Sequence, residues 1–181
     1  IIFDGGSLVF DDSGMLLDEM AYFSEDIKIY EFEDRKVKGF EPKVHDAQND
    51  IHQVHDALIL GIRDYFQKSG FSKAILGLSG GIDSALVCAL ASEALGPENV
   101  MAVLMPSEFS TDHSVQDALD LVKNLGCKHE IIPIREAASA FENMMKPVFK
   151  DLPFSVAEEN IQARSRAIIV MAMSNKFGYI L

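Results

Sequence analysis

Short apolar runs alternate with turn residues at the start of the chain, and the apolar spacing then changes from two to three and four. Ile1-Ile2-Phe3, Ser7-Leu8-Val9-Phe10 and Met15-Leu16-Leu17 are separated by Asp4-Gly5-Gly6 and Asp11-Asp12-Ser13-Gly14, the pattern of a β-meander. Glu19 to Lys38 is charged and aromatic without helical period, and Gly39-Phe40-Glu41-Pro42 reads as a linker that proline keeps extended. A domain boundary is expected there, dividing 1–38 from 39–181.

Ile51, Val54, Leu58, Ile62 and Tyr65 share one face of an expected helix that ends near Gly70. An apolar run, Ala74 to Leu78, leads through Ser79-Gly80-Gly81 into a helix from Asp83 to Leu95, stopped by Gly96-Pro97. The unit repeats, with a strand over Val100 to Met105, a helix over Ser114 to Leu125 and a strand over Ile131 to Ile134. A helix around Glu136 to Met145 follows. Ser155 and Glu158 are then spaced as a capping box for a long helix reaching Phe177 and closed by Gly178. Tyr179-Ile180-Leu181 has the character of a further strand opening. Apolar strands alternating with helices predict an α/β fold, a parallel sheet flanked by helices, preceded by a short β-rich segment.

Composition narrows the function classes. The 181 residues are 48% apolar and 24% charged, as in globular proteins that bury a core. No apolar run approaches the ~20 residues of a membrane span, and no signal peptide is read. A net charge of −12 repels a phosphate backbone, so nucleic acid is not expected as a partner. Cys88 and Cys127, without CxxC spacing, form neither a disulfide framework nor a zinc site, which fits a reducing cytoplasm.

The chemistry concentrates in Ser79-Gly80-Gly81-Ile82-Asp83-Ser84. Ligands of open parallel sheets bind at the carboxyl ends of strands, where this loop falls. Paired glycines allow close backbone approach, and the following helix start offers unpaired N–H groups and partial positive charge. Phosphate is the natural guest, with Ser79 and Ser84 as hydroxyl donors and Asp83 as a Mg2+ ligand. A plain turn with a capping residue is the commoner use of three such residues, but six in a strand-loop-helix context favour phosphate. Neither GxxxxGK[ST] nor GxGxxG occurs, so neither a P-loop NTPase nor a dinucleotide-binding Rossmann domain is supported.

Ser79 to Ser84 resembles the motif of N-type ATP pyrophosphatases, which cleave ATP between the α and β phosphates and have an adenine nucleotide alpha hydrolase-like fold. Met105-Pro106-Ser107-Glu108-Phe109-Ser110, Leu152-Pro153-Phe154 and Glu159-Asn160-Ile161-Gln162-Ala163-Arg164-Ser165-Arg166 are similar to segments of NAD synthetases. Phe3-Asp4-Gly5-Gly6-Ser7 and Phe23-Ser24-Glu25-Asp26 resemble the closing strands of a nitrilase-type glutaminase, pointing to the two-domain, glutamine-dependent form. The resemblance implies a middle section of a longer enzyme, with the amidase Glu, Lys and Cys ahead of it and the rest of the synthetase behind. Neither Cys88 nor Cys127 matches the amidase nucleophile.

The implied enzyme is a ligase forming a carbon–nitrogen bond. The nicotinate carboxylate of deamido-NAD attacks the α-phosphate of ATP, pyrophosphate leaves, and ammonia, supplied free or from glutamine, displaces AMP to give NAD. Gly77, Leu78, Ser79, Gly80, Gly81, Ile82, Asp83 and Ser84 are expected at the ATP phosphates, with Asp83 holding Mg2+. Taken singly, Arg164 and Arg166 read as solvated or paired; the resemblance assigns Arg164, with Asn160, to deamido-NAD. Ser107 and Ser110 either line the nucleotide cleft or serve a turn.

His52 and His55 lack a third metal ligand nearby and read as a solvated face. Met144, Met145, Met171 and Met173 read as core or interface filling, and the Ile161 to Phe177 stretch fits the homo-oligomer the family implies. Another ATP pyrophosphatase, such as a GMP synthetase or a tRNA-modifying ligase, and a noncatalytic nucleotide-binding fragment are the competing expectations.

Overall fold

The computed structural model describes residues 1–33, 36–40 and 50–181, in two compact units, Ile1–Gly61 and Ile62–Leu181. In the first, β1 (Leu8–Phe10) and β2 (Leu16–Glu19) form an antiparallel hairpin. Its turn is held by Asp11, whose Oδ1 accepts from the Ser13 hydroxyl at 2.7 Å and from the backbone N–H groups of Met15 and Ser13 at 2.8 and 2.9 Å. These bonds, the Ser13 hydroxyl first, hold the Asp11 carboxyl below the usual range. Asp18 is buried and accepts from Lys28 Nζ at 2.9 Å and Tyr30 OH at 3.1 Å.

A second antiparallel pair, β3 (Phe32–Glu33) and β4 (Lys36–Val37), lies in the stretch read as aperiodic. Two-residue strands carry too little alternation to register in a sequence. Glu41 and Pro42 of the expected linker lie outside the described residues.

Helix α1 runs over Asp50–Ser69, and Gly70, at φ +74°, follows it. The face predicted from its spacing is largely uncovered: Ile51, Val54, Leu58 and Tyr65 are exposed and Ile62 is half-buried. The side chains the fold buries are Ile59 and Phe66, seven apart. The helix thus carries two apolar stripes, and the described residues cover the narrower one.

In the second unit, β5 (Ala74–Gly77), β6 (Val100–Leu104) and β7 (Lys128–Ile131) form a parallel sheet in that order. The intervening segments are α2 (Ile82–Leu95), a short 3-10 turn at Pro97–Asn99 and α3 (Asp112–Leu125). Helices α4 (Arg135–Phe149) and α5 (Val156–Phe177) complete the unit.

Because side chains alternate across a strand, β6 feeds two cores. Val100, Ala102 and Leu104 pack with Cys88 and Ala91 of α2 and Ala118 and Val122 of α3. Val103 packs on the other side with Ile75, Met105, Ile134 and Val170 of α5. This double burial is why β6 reads as a continuous apolar run.

The third strand requires a correction, since it is Lys128–Ile131 and not Ile131–Ile134. As the last strand of this sheet, β7 exposes all four residues, so its sequence is polar and hides its conformation. The apolar Ile131–Ile134 run is its exit, donating from Ile132 to Leu104 O and from Ile134 to Pro106 O and burying Ile134 completely.

The chain end bears out the expected strand opening. Ile180 bridges Ala74 in parallel, accepting from Ile75 N at 2.7 Å and donating to Lys73 O at 2.9 Å. It therefore lies along the β5 edge of the sheet.

Helix α5 starts with the predicted capping box. Ser155 Oγ accepts from Ala157 N at 3.2 Å, and Glu158 Oε2 accepts from Ser155 N at 2.8 Å. That backbone bond holds the Glu158 carboxyl below its ordinary value. Ser155→Ala is expected to lower the unfolding free energy by about 1 kcal/mol, read as a fall in urea midpoint at unchanged slope; an unchanged midpoint contradicts the cap.

Candidate functional site

Strand β5 delivers the chain to a loop at its carboxyl end. Leu78 is buried and donates to Val103 O at 2.9 Å, so the sheet anchors the loop to its last residue. Gly80 then turns with φ +81°, and a Cβ there would stand 2.1 Å from Ser114 O in the first turn of α3. Only glycine satisfies both the left-handed backbone and that approach.

Two serines close the loop. Ser84 Oγ donates to Gly81 O at 3.0 Å and accepts from Ser79 N at 3.2 Å; Ser79 Oγ accepts from Gly81 N at 3.2 Å and lies 3.0 Å from Ser84 Oγ. Much of the capacity expected to serve a ligand is therefore spent on shaping the loop.

Helix α2 begins behind Gly81 with no side-chain cap, unlike α3, which Thr111 caps, and α5. Among the described residues nothing accepts from the N–H of Ile82, Asp83 or Ser84. Three uncommitted N–H groups at the positive end of a helix form an anion-receptive cradle. Asp83 is exposed beside them, and its carboxylate has no hydrogen bond or ion pair among the described residues.

The loop forms one wall of a cleft of about 320 Å3. Gly77, Leu78 and Ser79 face Pro106, Ser110 and Arg166. Ser110 Oγ accepts from Ser107 N at 2.9 Å, so Ser110 lines the cleft while Ser107 serves its turn.

Arg166 is the residue sequence reasoning left unassigned. Its Nε donates to Met105 O at 3.2 Å, burial lowers its pKa, and it pairs with no carboxylate among the described residues. The available signal was its place on the buried stripe of α5, four residues from both Gln162 and Val170.

Asn160 and Arg164, the pair assigned to deamido-NAD by resemblance, are exposed. Arg164 Nη1 donates to Asn160 Oδ1 at 2.6 Å, and Asn160 Nδ2 donates to Val156 O at 2.9 Å. Neither lines the cleft.

His55 Nδ1 is 3.0 Å from Asp56 Oδ1, and no group of three His, Cys, Asp or Glu among the described residues is placed to hold a metal. Cys88 and Cys127 are buried thiols with Sγ atoms 3.9 Å apart, and burial pushes Cys88 up to about 12, far from a nucleophile's range. Met173 packs against the α5 side of the core, whereas Met144 and Met171 are exposed.

A parallel sheet whose first strand opens through a glycine–serine loop onto an uncapped helix, across a cleft from an arginine that pairs with no carboxylate among the described residues, defines an α/β domain with an anion-receptive helix start. A family model described as NAD synthase matches residues 54–181. A glutamine-dependent NAD(+) synthetase of Synechocystis sp. is 46% identical over 183 residues, covering 100% of this chain and 33% of that protein.

Among solved structures, the glutamine-dependent NAD+ synthetase of Acinetobacter baumannii in complex with ADP superposes with a TM-score of 0.91 at 38% identity, over 98% of this chain and 34% of that one. The NMN synthetase of Francisella tularensis matches with a TM-score of 0.64 at 28% identity, over 71% of this chain and 51% of that one. The chain belongs to the NAD synthase family. It spans about a third of the length of the curated relatives it matches.

Substitution separates the two demands on Gly80. Gly126→Ala, where φ is +76° with nothing within 4 Å of the added Cβ, is expected to cost about 1 kcal/mol of stability. Gly80→Ala adds the clash with Ser114 O, and is expected to cost more than about 3 kcal/mol or to displace the loop. Equal, small losses of thermal stability in the two variants would count against the close approach.

Proposed function

We propose that the whole protein converts deamido-NAD to NAD, spending ATP to AMP and pyrophosphate through an adenylylated intermediate, with nitrogen from glutamine or ammonia. The observation that carries this reading is the uncapped start of α2 behind the serine-closed loop, in a chain of the NAD synthase family. Family membership also favours it over a GMP synthetase or a tRNA-modifying ligase.

In this reading the N–H groups of Ile82, Asp83 and Ser84 hold the β and γ phosphates and stabilise charge on the departing pyrophosphate, with no reorganisation needed at the moment of reaction. Arg166, across the cleft, adds a cation in a partly desolvated setting where it acts more strongly than in water. Asn160 and Arg164 receive deamido-NAD from the exposed face of α5. Their mutual hydrogen bond orients the guanidinium for a carboxylate or phosphate.

Mg2+ fits the donors present. It is commonly held by one or two carboxylates together with substrate phosphates and water, and Asp83 offers an uncommitted carboxylate at the phosphate cradle. When bound there, the ion neutralises phosphate charge that Asp83 alone would repel.

Residues 1–38 are read as closing strands of a nitrilase-type glutaminase domain, and 39–181 as part of the synthetase domain. A homo-oligomer is proposed from the apolar residues Ile168, Met171 and Phe177 exposed on α5. A cytoplasmic enzyme is proposed; no helix among the described residues is long and apolar enough to cross a membrane. The likeness to an NMN synthetase favours one second reading, in which the acceptor is the corresponding mononucleotide.

The test is NAD formation by the full-length protein with ATP, Mg2+, deamido-NAD and glutamine or ammonia, with AMP and pyrophosphate released in equal amounts. Turnover only with nicotinate mononucleotide selects the second reading, and no turnover with either acceptor rejects both. Asp83→Asn is expected to lower kcat at least about a hundredfold, and chelation of divalent cations by EDTA should abolish turnover of the unsubstituted enzyme. Undiminished turnover in either experiment would remove the metal role.

A further inference from the structure

Arg166 also lines a second cleft, of about 320 Å3, with Phe109, Phe154, Glu159 and Gln162. Phe109 comes from the turn after β6 and Phe154 from the segment before α5. Their ring centroids are 5.9 Å apart with the planes inclined at 58°, and both residues remain more than half exposed, at 62% and 57%. Single exposed apolar residues are ordinary on protein surfaces. A pair of aromatic faces beside a charged group and a buried amide is a different object.

Gln162 supplies the amide. It is 7% exposed, yet its carboxamide makes no hydrogen bond to any described residue. The other buried polar residues of α5 are satisfied: Ser165 Oγ donates to Ile161 O at 2.9 Å, and Ser174 Oγ donates to Tyr179 O at 2.8 Å. A carboxamide carries two donors and an acceptor oxygen, and because the one sealed side-chain polar atom without a partner among the described residues is Ser92 Oγ, the Gln162 amide opens into the cleft with its bonding capacity free. Its place in the cleft wall aims those donors and that acceptor at whatever occupies the cleft.

We propose that this cleft receives a flat nitrogen-containing heteroaromatic ring of a nucleotide substrate, set against Phe109 and Phe154 and read at its edge by Gln162. Arg166, shared with the loop cleft, lies where the same nucleotide's phosphate passes between the two. Aromatic side chains hold such rings in offset or edge-to-face contact, and the amide can both donate to and accept from a ring edge. Gln162 is thereby a specificity-determining residue, discriminating against rings that leave its amide unpaired. This inference rests on the proposed nucleotide chemistry but concerns ring binding, which is measured without turnover.

Two ring sources share this chemistry, the adenine of ATP and the pyridine of the acceptor. The full-length protein is titrated by calorimetry with AMP and, separately, with nicotinate mononucleotide, beside Gln162→Met and Phe154→Leu variants. Methionine keeps the volume of glutamine, and leucine stands at an exposed position; a melting temperature near that of the unsubstituted protein verifies each fold. The expected result is that both variants weaken the same probe about tenfold or more, as loss of a paired buried amide implies, and leave the other within twofold. Selective loss of AMP assigns the cleft to adenine, and selective loss of nicotinate mononucleotide assigns it to pyridine.

If Gln162→Met does not fold, Phe154→Leu alone decides, by the same criterion. Unchanged affinities in folded variants, equal losses for both probes, or no binding of either probe to the unsubstituted protein overturn the proposal. Selective probe binding in a protein that forms no NAD defeats the proposed function and leaves the ring site standing.

Discussion

Gly80 passes so close to the first turn of α3 that the carbonyl of Ser114 occupies the space of a side chain. That contact fixes where the loop leaves the sheet. The loop in turn makes Gly81 the last residue before α2, and a glycine there supplies no capping side chain. Ser79 and Ser84 bond to each other and to the loop backbone, shaping the turn while leaving the N–H groups of Ile82 to Ser84 open. The anion-receptive cradle follows from packing two segments too tightly for any residue but glycine.

The cradle works against the electrostatics of the chain. A net charge of −12 disfavours a polyphosphate at long range, though screening confines that effect to about 10 Å at moderate ionic strength. Local groups oppose that field: three oriented N–H donors and, across the cleft, the Arg166 guanidinium, which pairs with no carboxylate among the described residues. Such an arrangement offers an anion local donors that the overall charge of the chain does not supply.

The legible parts of the fold were those where local chemistry and tertiary structure agree. The Ser155 and Glu158 box, the Gly178 stop and the Ser79–Ser84 loop declare themselves because caps and turns use few residues in fixed roles. Strand β7 was displaced because an exposed strand can be polar, so its apolar exit at Ile131 to Ile134 drew the assignment. On α1, spacing found the stripe of Ile51, Val54 and Leu58, while the fold uses Ile59 and Phe66; periodicity reveals a face but not what covers it. Arg166 was obscured by Arg164, since only three-dimensional placement shows that the first enters the cleft while the second bonds Asn160 in solvent.

The most direct measurement is a structure of the full-length protein with ATP and Mg2+. Oxygens of the β and γ phosphates are expected within ~3 Å of the N–H groups of Ile82, Asp83 and Ser84, with the Asp83 carboxylate on the metal. A triphosphate bound elsewhere, with those N–H groups still facing water, would contradict that placement.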